Sequence, residues 1–187
     1  MGDKGWFRTA LRPEGDRDAA EQLKGLELAL SQASGKTVLD LGCAEAVISR
    51  EFALAGAAEV LGIELLESHL RIGREVCKDV PQVRLLRASL LDHIKQNPEP
   101  QQFDIVLALA ICHKLPDPSV PLRFAARSAK DLLLFRDPKP DGIIRSKHTK
   151  KPCNVPKVML SLGFREEAIF ASSRGERVQY WRRNGLG

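Results

Sequence analysis

The chain lacks the features that mark membrane, metal-binding and disulfide-bonded proteins. Its longest nearly uncharged stretch, Ile105 to Cys112, is far shorter than the roughly 20 apolar residues that span a bilayer. The opening segment, MGDKGWFRTALRPEGD, contains no apolar core of the kind found in secretion signals. The four cysteines lie far apart and form no C-x-x-C pair. We therefore expect reduced thiols, no metal site and a cytoplasmic protein.

The composition is that of an ordinary folded chain. The 187 residues are 43% hydrophobic and 28% charged, which argues against disorder and fibrous structure. The length suits one domain over residues 1–187, with a core at 37–181 and an N-terminal helix within 16–34. We expect 1–15 to be a leader or lid, since Trp6 and Phe7 are large apolar residues there. The net charge of +5 is compatible with an anionic partner but does not indicate nucleic acid.

Apolar residues alternate between helical and strand spacing along most of the chain. The first such pattern predicts one amphipathic helix from Asp18 to Gln32. Strands alternating with helices then predict an α/β fold, with a doubly wound, mostly parallel sheet and helices on both faces. The predicted strands are Thr37–Leu41, Glu59–Glu64, Val83–Arg87, Phe103–Ala110 and Asp131–Arg136, and the helices run from Glu45 to Gly56, Leu66 to Cys77 and Leu122 to Ala129.

The C-terminal part has a different pattern. DPKPDGIIRSKHTKKP predicts a polar loop, and a short helix follows at Val155 to Leu162, where Gly163 ends it. Two further strands, Glu166–Ala171 and Arg177–Trp181, are separated by the turn-like SSRGE and predict an antiparallel hairpin. The complete sheet then has seven strands, of which the last pair is reversed.

The stretch VLDLGCAEAVIS, Val38 to Ser49, carries the strongest functional signal. An apolar strand leads through a small-residue turn into a helix, whose first N–H groups have no partner within the helix. Ligands of doubly wound sheets bind beyond the carboxyl ends of the strands, where this turn lies. Glu64 ends the second strand 22 residues after Gly42 (64 − 42 = 22). That interval is close to the roughly 20 residues expected between such a turn and an acid that binds a ribose.

With these motifs, the chain resembles the class I S-adenosylmethionine-dependent methyltransferases. The likeness runs from Thr37 to Trp181 and rests on VLDLGCAEA, VLGIE, VRLLRASL, FDIVLALAICHKL and the closing helix and hairpin. It implies S-adenosyl-L-methionine as the cofactor and methyl transfer to an oxygen or nitrogen nucleophile. The acceptor would be a small molecule or a macromolecule, and a phosphate-bearing acceptor would suit the basic charge.

The resemblance also implies roles for individual residues. Asp40 would lie near the methionine ammonium or orient the turn, and Gly42 would let the main chain pass close to the methionine. Glu64 would bind the ribose hydroxyls. Ser89, or the N–H of Leu90, would replace the aspartate that many relatives direct at the adenine. The remaining cofactor-contacting positions would be Cys43, Ala44, Leu65, Leu109, Ala110 and Ile111.

The turn departs from the family pattern D-x-G-x-G-x-G, because alanines 44 and 46 stand where glycines are usual. An alanine is tolerated there if its φ is negative, whereas a positive φ would strain the backbone. We expect the cofactor to bind.

Catalysis of methyl transfer needs no metal or catalytic triad. His113 follows the fourth strand and is a candidate general base. An exposed loop that contains His113 and Lys114 explains the pattern equally well. Three other histidines, His69, His93 and His148, are expected at the surface. Two alternatives stay open: a cofactor-binding or scaffold protein without activity, and an NAD-dependent oxidoreductase. The second fits less well because G-x-G-x-x-G would need glycine at positions 44 and 47.

Overall fold

The computed structural model describes residues 7–8, 13, 15, 17–137 and 142–185. The strands are β1 (Phe7–Arg8), β2 (Arg17–Asp18), β3 (Thr37–Leu41), β4 (Glu59–Glu64), β5 (Val83–Arg87), β6 (Phe103–Leu109), β7 (Ala129–Asp137), β8 (Ile143–Arg145), β9 (Pro152–Asn154), β10 (Phe164–Ala171) and β11 (Arg177–Arg183). The helices are α1 (Ala19–Leu23), α2 (Glu27–Ser31), α3 (Val47–Leu54), α4 (Glu67–Val76), α5 (Leu90–Gln96), α6 (Ser119–Ser128) and α7 (Val155–Ser161), with 3₁₀ turns at Cys112–Lys114 and Ser173–Gly175.

A seven-stranded sheet in the order β10-β11-β7-β6-β3-β4-β5 forms the centre of the fold. Strands β3, β4, β5, β6 and β7 pair in parallel, whereas β11 is antiparallel to both β7 and β10. The predicted fold class is therefore confirmed, including the reversed C-terminal hairpin. The strand order changes direction next to β3, and such a switch point opens a crevice at the carboxyl ends of the strands.

Both faces of the sheet are covered, because the central strands are apolar on both sides. Leu39 and Leu41 of β3 pack into one buried cluster with residues of α5, α6 and α7. Val38, one position earlier, packs into the other cluster with residues of α2 and α3. This alternation follows from the two-residue period of a strand.

The predicted helix from Asp18 to Gln32 is wrong, since the structure has two short helices separated by Gly25. Gly25 adopts φ +83°, which ends α1. A side chain at this position would lie 3.1 Å from the carbonyl oxygen of Ala171. The hydroxyl of Tyr180 donates to the Gly25 carbonyl at 2.8 Å and accepts from the Ala29 N–H at 3.3 Å. Contacts with the C-terminal hairpin thus override the helical periodicity.

Helix α5 and the strands β8 and β9 were not predicted either. Helix α5 begins after Ser89, whose hydroxyl accepts from the N–H of Asp92 at 3.4 Å. The expected polar loop after β7 contains the antiparallel pair β8–β9, in which Ile144 faces Cys153. Both of these side chains are buried in the main core, and the Thr149 hydroxyl donates to the carbonyl of Pro116 at 2.6 Å, so buried apolar contacts and hydrogen bonds together hold this largely polar segment. In the described ranges, no helix has the length and apolar character needed to cross a membrane.

Candidate active site

A cavity of about 1050 Å³ lies at the carboxyl ends of the central strands. Side chains or backbone from the ends of β3, β4, β6 and β7 form its floor. The lining residues are Phe7, Arg17, Gln22, Asp40, Gly42, Cys43, Ala44, Ile48, Glu64, Leu65, Leu66, His69, Leu109, Ala110, Ile111, Lys114, Leu115 and Arg136. Such a volume is at the upper end of the range for small-molecule sites, about 300–1,000 Å³.

The turn after β3 is a tight one, with its backbone bonded to the neighbouring strand. Gly42 has φ +76°, and its N–H donates to the carbonyl of Ile63 at 2.8 Å. A Cβ at this position would lie 2.9 Å from Cδ1 of Ile111. The positive φ and the close contact with Ile111 both favour glycine at this position.

Both alanines of the turn have left-handed backbones. Ala44 has φ +50° and Ala46 has φ +56°, a region that costs an L-residue about 1–2 kcal/mol. The backbone strain that we expected if these alanines had positive φ is therefore present. Such strain persists only where the surrounding structure enforces it, and it is frequent at binding sites. Ala46 is fully buried at the start of α3, and Ala44 lines the cavity.

Glu64 is fixed by three backbone N–H groups. Its Oε2 accepts from Ala44 at 3.1 Å, and its Oε1 accepts from Leu65 at 2.8 Å and Leu66 at 2.9 Å. Burial acts to raise the pKa of this carboxyl, but the His69 ring and these N–H groups outweigh it and hold the pKa below its usual range. Glu64 is consequently ionised at neutral pH and oriented at the edge of the cavity.

Asp40 is the second acid of the cavity. It is 3% exposed and accepts a hydrogen bond from the Ser49 hydroxyl at 2.7 Å. Its pKa is raised to about 6, mainly by burial and also by the negative charge of Glu64, against the lowering effects of the Ser49 hydrogen bond and the positive charge of Arg136. An Asp inside an apolar strand is costly unless a partner offsets its charge. A cation in the cavity would be such a partner.

The exit of β6 forms an apolar wall. Leu109, Ala110 and Ile111 all line the cavity. Ala110 is a third alanine with positive φ, +56°, and its N–H donates to the Arg136 carbonyl at 3.2 Å. This bond to the neighbouring strand fixes the backbone where β6 ends.

Three predicted site residues are not among those that line the cavity: His113, Ser89 and Leu90. The Ser89 hydroxyl caps α5, and Leu90 is buried in the core. His113 is 8% exposed, and burial together with Lys147 and Lys114 lowers its pKa to about 4. Its imidazole is therefore neutral at physiological pH. Lys114, the next residue, does line the cavity.

The expectation that His69 lies at the surface is wrong. His69 is 9% exposed and its Nδ1 lies 3.9 Å from Oε1 of Glu64. Its position follows from the turn after β4, which directs the first turn of α4 back over the carboxylate. His93 is half-buried and His148 is exposed, so the sequence expectation holds for His148.

The site contains further residues that the sequence did not single out. Arg136 at the end of β7 is 2% exposed and donates to the carbonyl of Gln22 at 2.6 Å and to its Oε1 at 3.2 Å. A charged residue closing the apolar run DLLLF could have indicated it, as Asp40 did for β3. Phe7, which the sequence placed in a leader or lid, also lines the cavity, and its N–H donates to Oε2 of Glu45 at 2.9 Å. Trp6, expected beside it in a lid, lies outside the described residues.

A family model for the methyltransferase domain matches residues 32–179. The chain belongs to this family, so the resemblance stated from its motifs is confirmed. It is 35% identical over 97 residues to the ubiquinone biosynthesis O-methyltransferase of Bordetella pertussis, a match covering 52% of this chain and 39% of that protein. The corresponding protein of Neisseria meningitidis is 30% identical over 112 residues, covering 59% and 42%. The chain thus spans less than half of the length of these relatives.

Solved structures share the fold. The magnesium protoporphyrin IX methyltransferase of Synechocystis, crystallised with S-adenosylmethionine, superposes with a TM-score of 0.70 at 17% identity, covering 89% of this chain and 80% of that one. An S-adenosylmethionine-dependent methyltransferase from Aquifex aeolicus gives 0.63 at 18% identity, covering 89% and 94%. The fold is that of the class I methyltransferases.

Proposed function

We propose that this protein binds S-adenosylmethionine and transfers its methyl group to an oxygen or nitrogen atom of a small molecule. The observation that carries the proposal is the arrangement of Asp40, Gly42 and Glu64 around one cavity at the switch point of the sheet. Membership of the methyltransferase domain family supports the same activity. The named relatives at 35% identity are O-methyltransferases, which favours an oxygen as the acceptor atom.

The residues present fit this cofactor. A carboxylate has about four lone-pair sites, and three of those on Glu64 accept backbone N–H groups. Capacity therefore remains for a ribose hydroxyl. The apolar wall of Leu109, Ala110 and Ile111 and the neighbouring Leu65 suit an aromatic base. Ser89 and Leu90 lie outside this lining, so we assign no adenine contact to them.

The cofactor supplies a methyl group on a positively charged sulfur, which is already activated for transfer. Asp40 in its ionised form offsets positive charge at the methionine end, and Glu64 fixes the sugar. The apolar wall excludes water from the transfer path. Alignment of donor and acceptor alone can contribute about 7–11 kcal/mol to the rate enhancement. No base is obligatory, and the role of His113 as a base stays a prediction.

Two properties of the acceptor complete the proposal. A small molecule is favoured because the cavity, lined by Phe7, Leu66 and Leu115 as well as by the sheet, has a volume typical of small-molecule sites. A phosphate group on it stays an expectation from the basic charge of the chain. The cytoplasmic location likewise stays a prediction from the sequence.

Calorimetry with S-adenosylhomocysteine tests the binding half of the proposal. Glu64→Gln is expected to weaken the affinity by about tenfold or more, since it replaces a charge-assisted hydrogen bond with a neutral one. Glu67→Gln is the matched control, because Glu67 is exposed on α4 and pairs with Arg74 outside the cavity. If both variants bind as tightly as the parent, the assignment of Glu64 to the ribose is wrong.

Transfer of a labelled methyl group tests the catalytic half. The protein is incubated with S-adenosylmethionine labelled at the methyl group and a fractionated small-molecule extract. A labelled product that disappears in Glu64→Gln supports the enzyme. Cofactor binding without any labelled product favours the non-catalytic binding or scaffold protein. A fluorescence titration in which NADH binds more tightly than S-adenosylhomocysteine would instead support the oxidoreductase.

A further inference from the structure

A buried hydrogen bond joins β3 to the helix that follows the turn. The hydroxyl of Ser49 in α3 donates to Oδ2 of Asp40 at 2.7 Å. Asp40 lies two residues after Val38 in β3 and therefore faces the same side of the sheet, which α3 covers. Ser49 is fully buried and Asp40 is 3% exposed. The bond thus lies away from bulk solvent, where a hydrogen bond is stronger than in water.

Ser49 uses its hydroxyl in a different way from Ser128, a helical serine that is also fully buried. The hydroxyl of Ser128 donates to the carbonyl of Phe124, four residues earlier in the same helix. Such a local bond is a common way to satisfy a serine inside a helix. The hydroxyl of Ser49 instead connects two elements and donates to an acid that lines the cavity.

Two charges act on Asp40 in opposite directions. Glu64 at the end of β4 favours the protonated form of Asp40, and Arg136 of β7 favours the ionised form. The remaining ionisable residues of the cavity and of α3 are Arg17, Cys43, His69, Lys114, Arg50 and Glu51. Burial is the main reason that the pKa of Asp40 is raised, and the Ser49 hydroxyl lowers this pKa more than Arg136 does. Removal of the hydroxyl should therefore raise the pKa further.

We propose that Ser49 is a positioning residue that keeps Asp40 ionised and oriented at the methionine end of the cofactor, and thereby favours S-adenosylmethionine over S-adenosylhomocysteine. This inference rests on the proposed function, because it assumes that the cofactor occupies the cavity. The hydroxyl fixes Oδ2 of Asp40. Within the described part of the chain Oδ1 accepts no hydrogen bond, so it is available to a ligand. S-adenosylmethionine carries one positive charge more than its demethylated product, and an ionised Asp40 attracts that charge.

Calorimetry of both nucleosides at several pH values tests this role. In Ser49→Ala, the affinity for S-adenosylmethionine should be about fivefold below that of the parent at about pH 6 and within about twofold of it at about pH 8. The reason is that loss of a hydrogen bond to a charged group raises the pKa of the acid by about one unit. The affinity for S-adenosylhomocysteine should change less at each pH, so the preference for the charged cofactor becomes smaller.

A conservative variant and a matched control accompany this measurement. Ser49→Thr keeps a hydroxyl at the position and should restore the pH profile of the parent. Ser128→Ala removes an equally buried helical hydroxyl that donates within its own helix, so it should leave the profile unchanged. In the double variant with Asp40→Asn and Ser49→Ala, the profile should equal that of Asp40→Asn alone, because the serine acts through the acid. Circular dichroism establishes that each variant is folded.

The outcomes separate this inference from the proposed function. An equal loss of S-adenosylmethionine affinity at every pH in Ser49→Ala would make the serine merely structural and overturn the inference. An unchanged profile in Ser49→Ala, or a further change in the double variant beyond Asp40→Asn, would overturn it too. The double variant decides the question if Ser49→Thr does not fold. Failure of the parent protein to bind either nucleoside would instead refute the proposed function.

Discussion

At the residue scale, three alanines have positive φ at the exits of β3 and β6: Ala44 and Ala110, which line the cavity, and the buried Ala46. Each carries a methyl group in a backbone region where glycine is usual. Ala44 also donates its N–H to Glu64 at 3.1 Å, so the strained residue and the acid support each other. The turn therefore keeps the geometry of a glycine-rich loop with fewer glycines.

Ala44→Val should lower the free energy of unfolding by about 2–3 kcal/mol, because a β-branched side chain is strongly disfavoured at positive φ and overfills a buried position. Ala44→Gly should change it by less than about 1 kcal/mol, since relief of strain is offset by the lost methyl contacts and the entropy of glycine. Urea denaturation measures both. Ala20→Val, at an exposed position of α1, is the control and should have little effect. Equal losses at positions 44 and 20 would argue against a strained turn.

Asp40 should make the binding of the cationic cofactor depend on pH. Its pKa, raised to about 6 mainly by burial, means that the free protein holds this carboxyl partly protonated below neutrality. Because the pKa of Asp40 is raised in the folded state, its protonated form stabilises the fold at low pH. That contribution to the free energy of unfolding is lost as the pH rises through 6. A bound cation favours the ionised form of Asp40 instead, so that binding releases the proton.

The affinity for S-adenosylmethionine should therefore fall as pH decreases from about 7 to about 5, by up to about tenfold per unit at the acid end. Calorimetry across this range measures the slope. S-adenosylhomocysteine, which lacks the sulfonium charge, should show a shallower slope. In Asp40→Asn the dependence should disappear. A slope that survives in Asp40→Asn would assign the titration to another group.

At the element scale, the C-terminal hairpin determines how the N-terminal helices fold. Tyr180 of β11 is bonded to both Gly25 and Ala29, and Gln22 of α1 donates to the Ser173 hydroxyl at 2.9 Å. The same Gln22 accepts from Arg136 in the cavity wall. The hairpin, α1 and the cavity wall at Arg136 are thus connected through Gln22.

Tyr180→Phe should lower the free energy of unfolding by about 1–3 kcal/mol, because it leaves the buried Gly25 carbonyl and Ala29 N–H without their partner. Denaturant titration checks the loss.

Because the chain has one tyrosine, ultraviolet absorbance reports the ionisation of Tyr180 directly. Burial is the main reason that its pKa is raised to about 12. The stability that this shift contributes is complete below about pH 10, the unfolded value, and is lost as pH rises through 12. Ionisation of the folded protein near the unfolded value would contradict the buried hydroxyl.

Sequence predicted the elements best where local pattern and tertiary packing agree. Strands β3, β4 and β5 have the predicted bounds, and the apolar run of β3 is buried, as expected for a strand in the middle of a parallel sheet. The first helix was wrong because the contacts that break it at Gly25 come from β10 and β11, remote in sequence. Helix α5 was missed because only Leu90 and Ile94 of its residues are buried, which leaves little apolar periodicity.

At the scale of the whole molecule, the cavity joins the N-terminal segment and β7 to the centre of the sheet. Phe7 and Arg17 come from the N-terminal segment, and Arg136 comes from the strand next to the hairpin. Asp40, Gly42, Glu64 and Leu109 could be predicted because they stand at strand ends in a motif with known spacing. Arg136 was missed although the charge that ends its apolar strand could have indicated it. His69 could not be predicted, because its burial depends on the way α4 closes over the strands.

A ligand that bridges these parts should stabilise the entire fold. At a concentration about 100 times its dissociation constant, S-adenosylhomocysteine should raise the free energy of unfolding by about 2.7 kcal/mol. Urea denaturation with and without the ligand measures this change, and the slope against urea should stay the same. Glu64→Gln at the same ligand concentration should show a smaller increase. No increase in the parent protein would mean that the ligand does not bind the native state.

The central claim is that the cavity at the ends of β3, β4 and β6 holds the adenosyl cofactor. A crystal structure of the protein grown with S-adenosylhomocysteine tests it most directly. We predict a ribose hydroxyl on the carboxylate of Glu64 and the homocysteine end beside Asp40 and Gly42. A nucleoside bound elsewhere on the molecule, or an empty cavity at saturating ligand, would contradict the account.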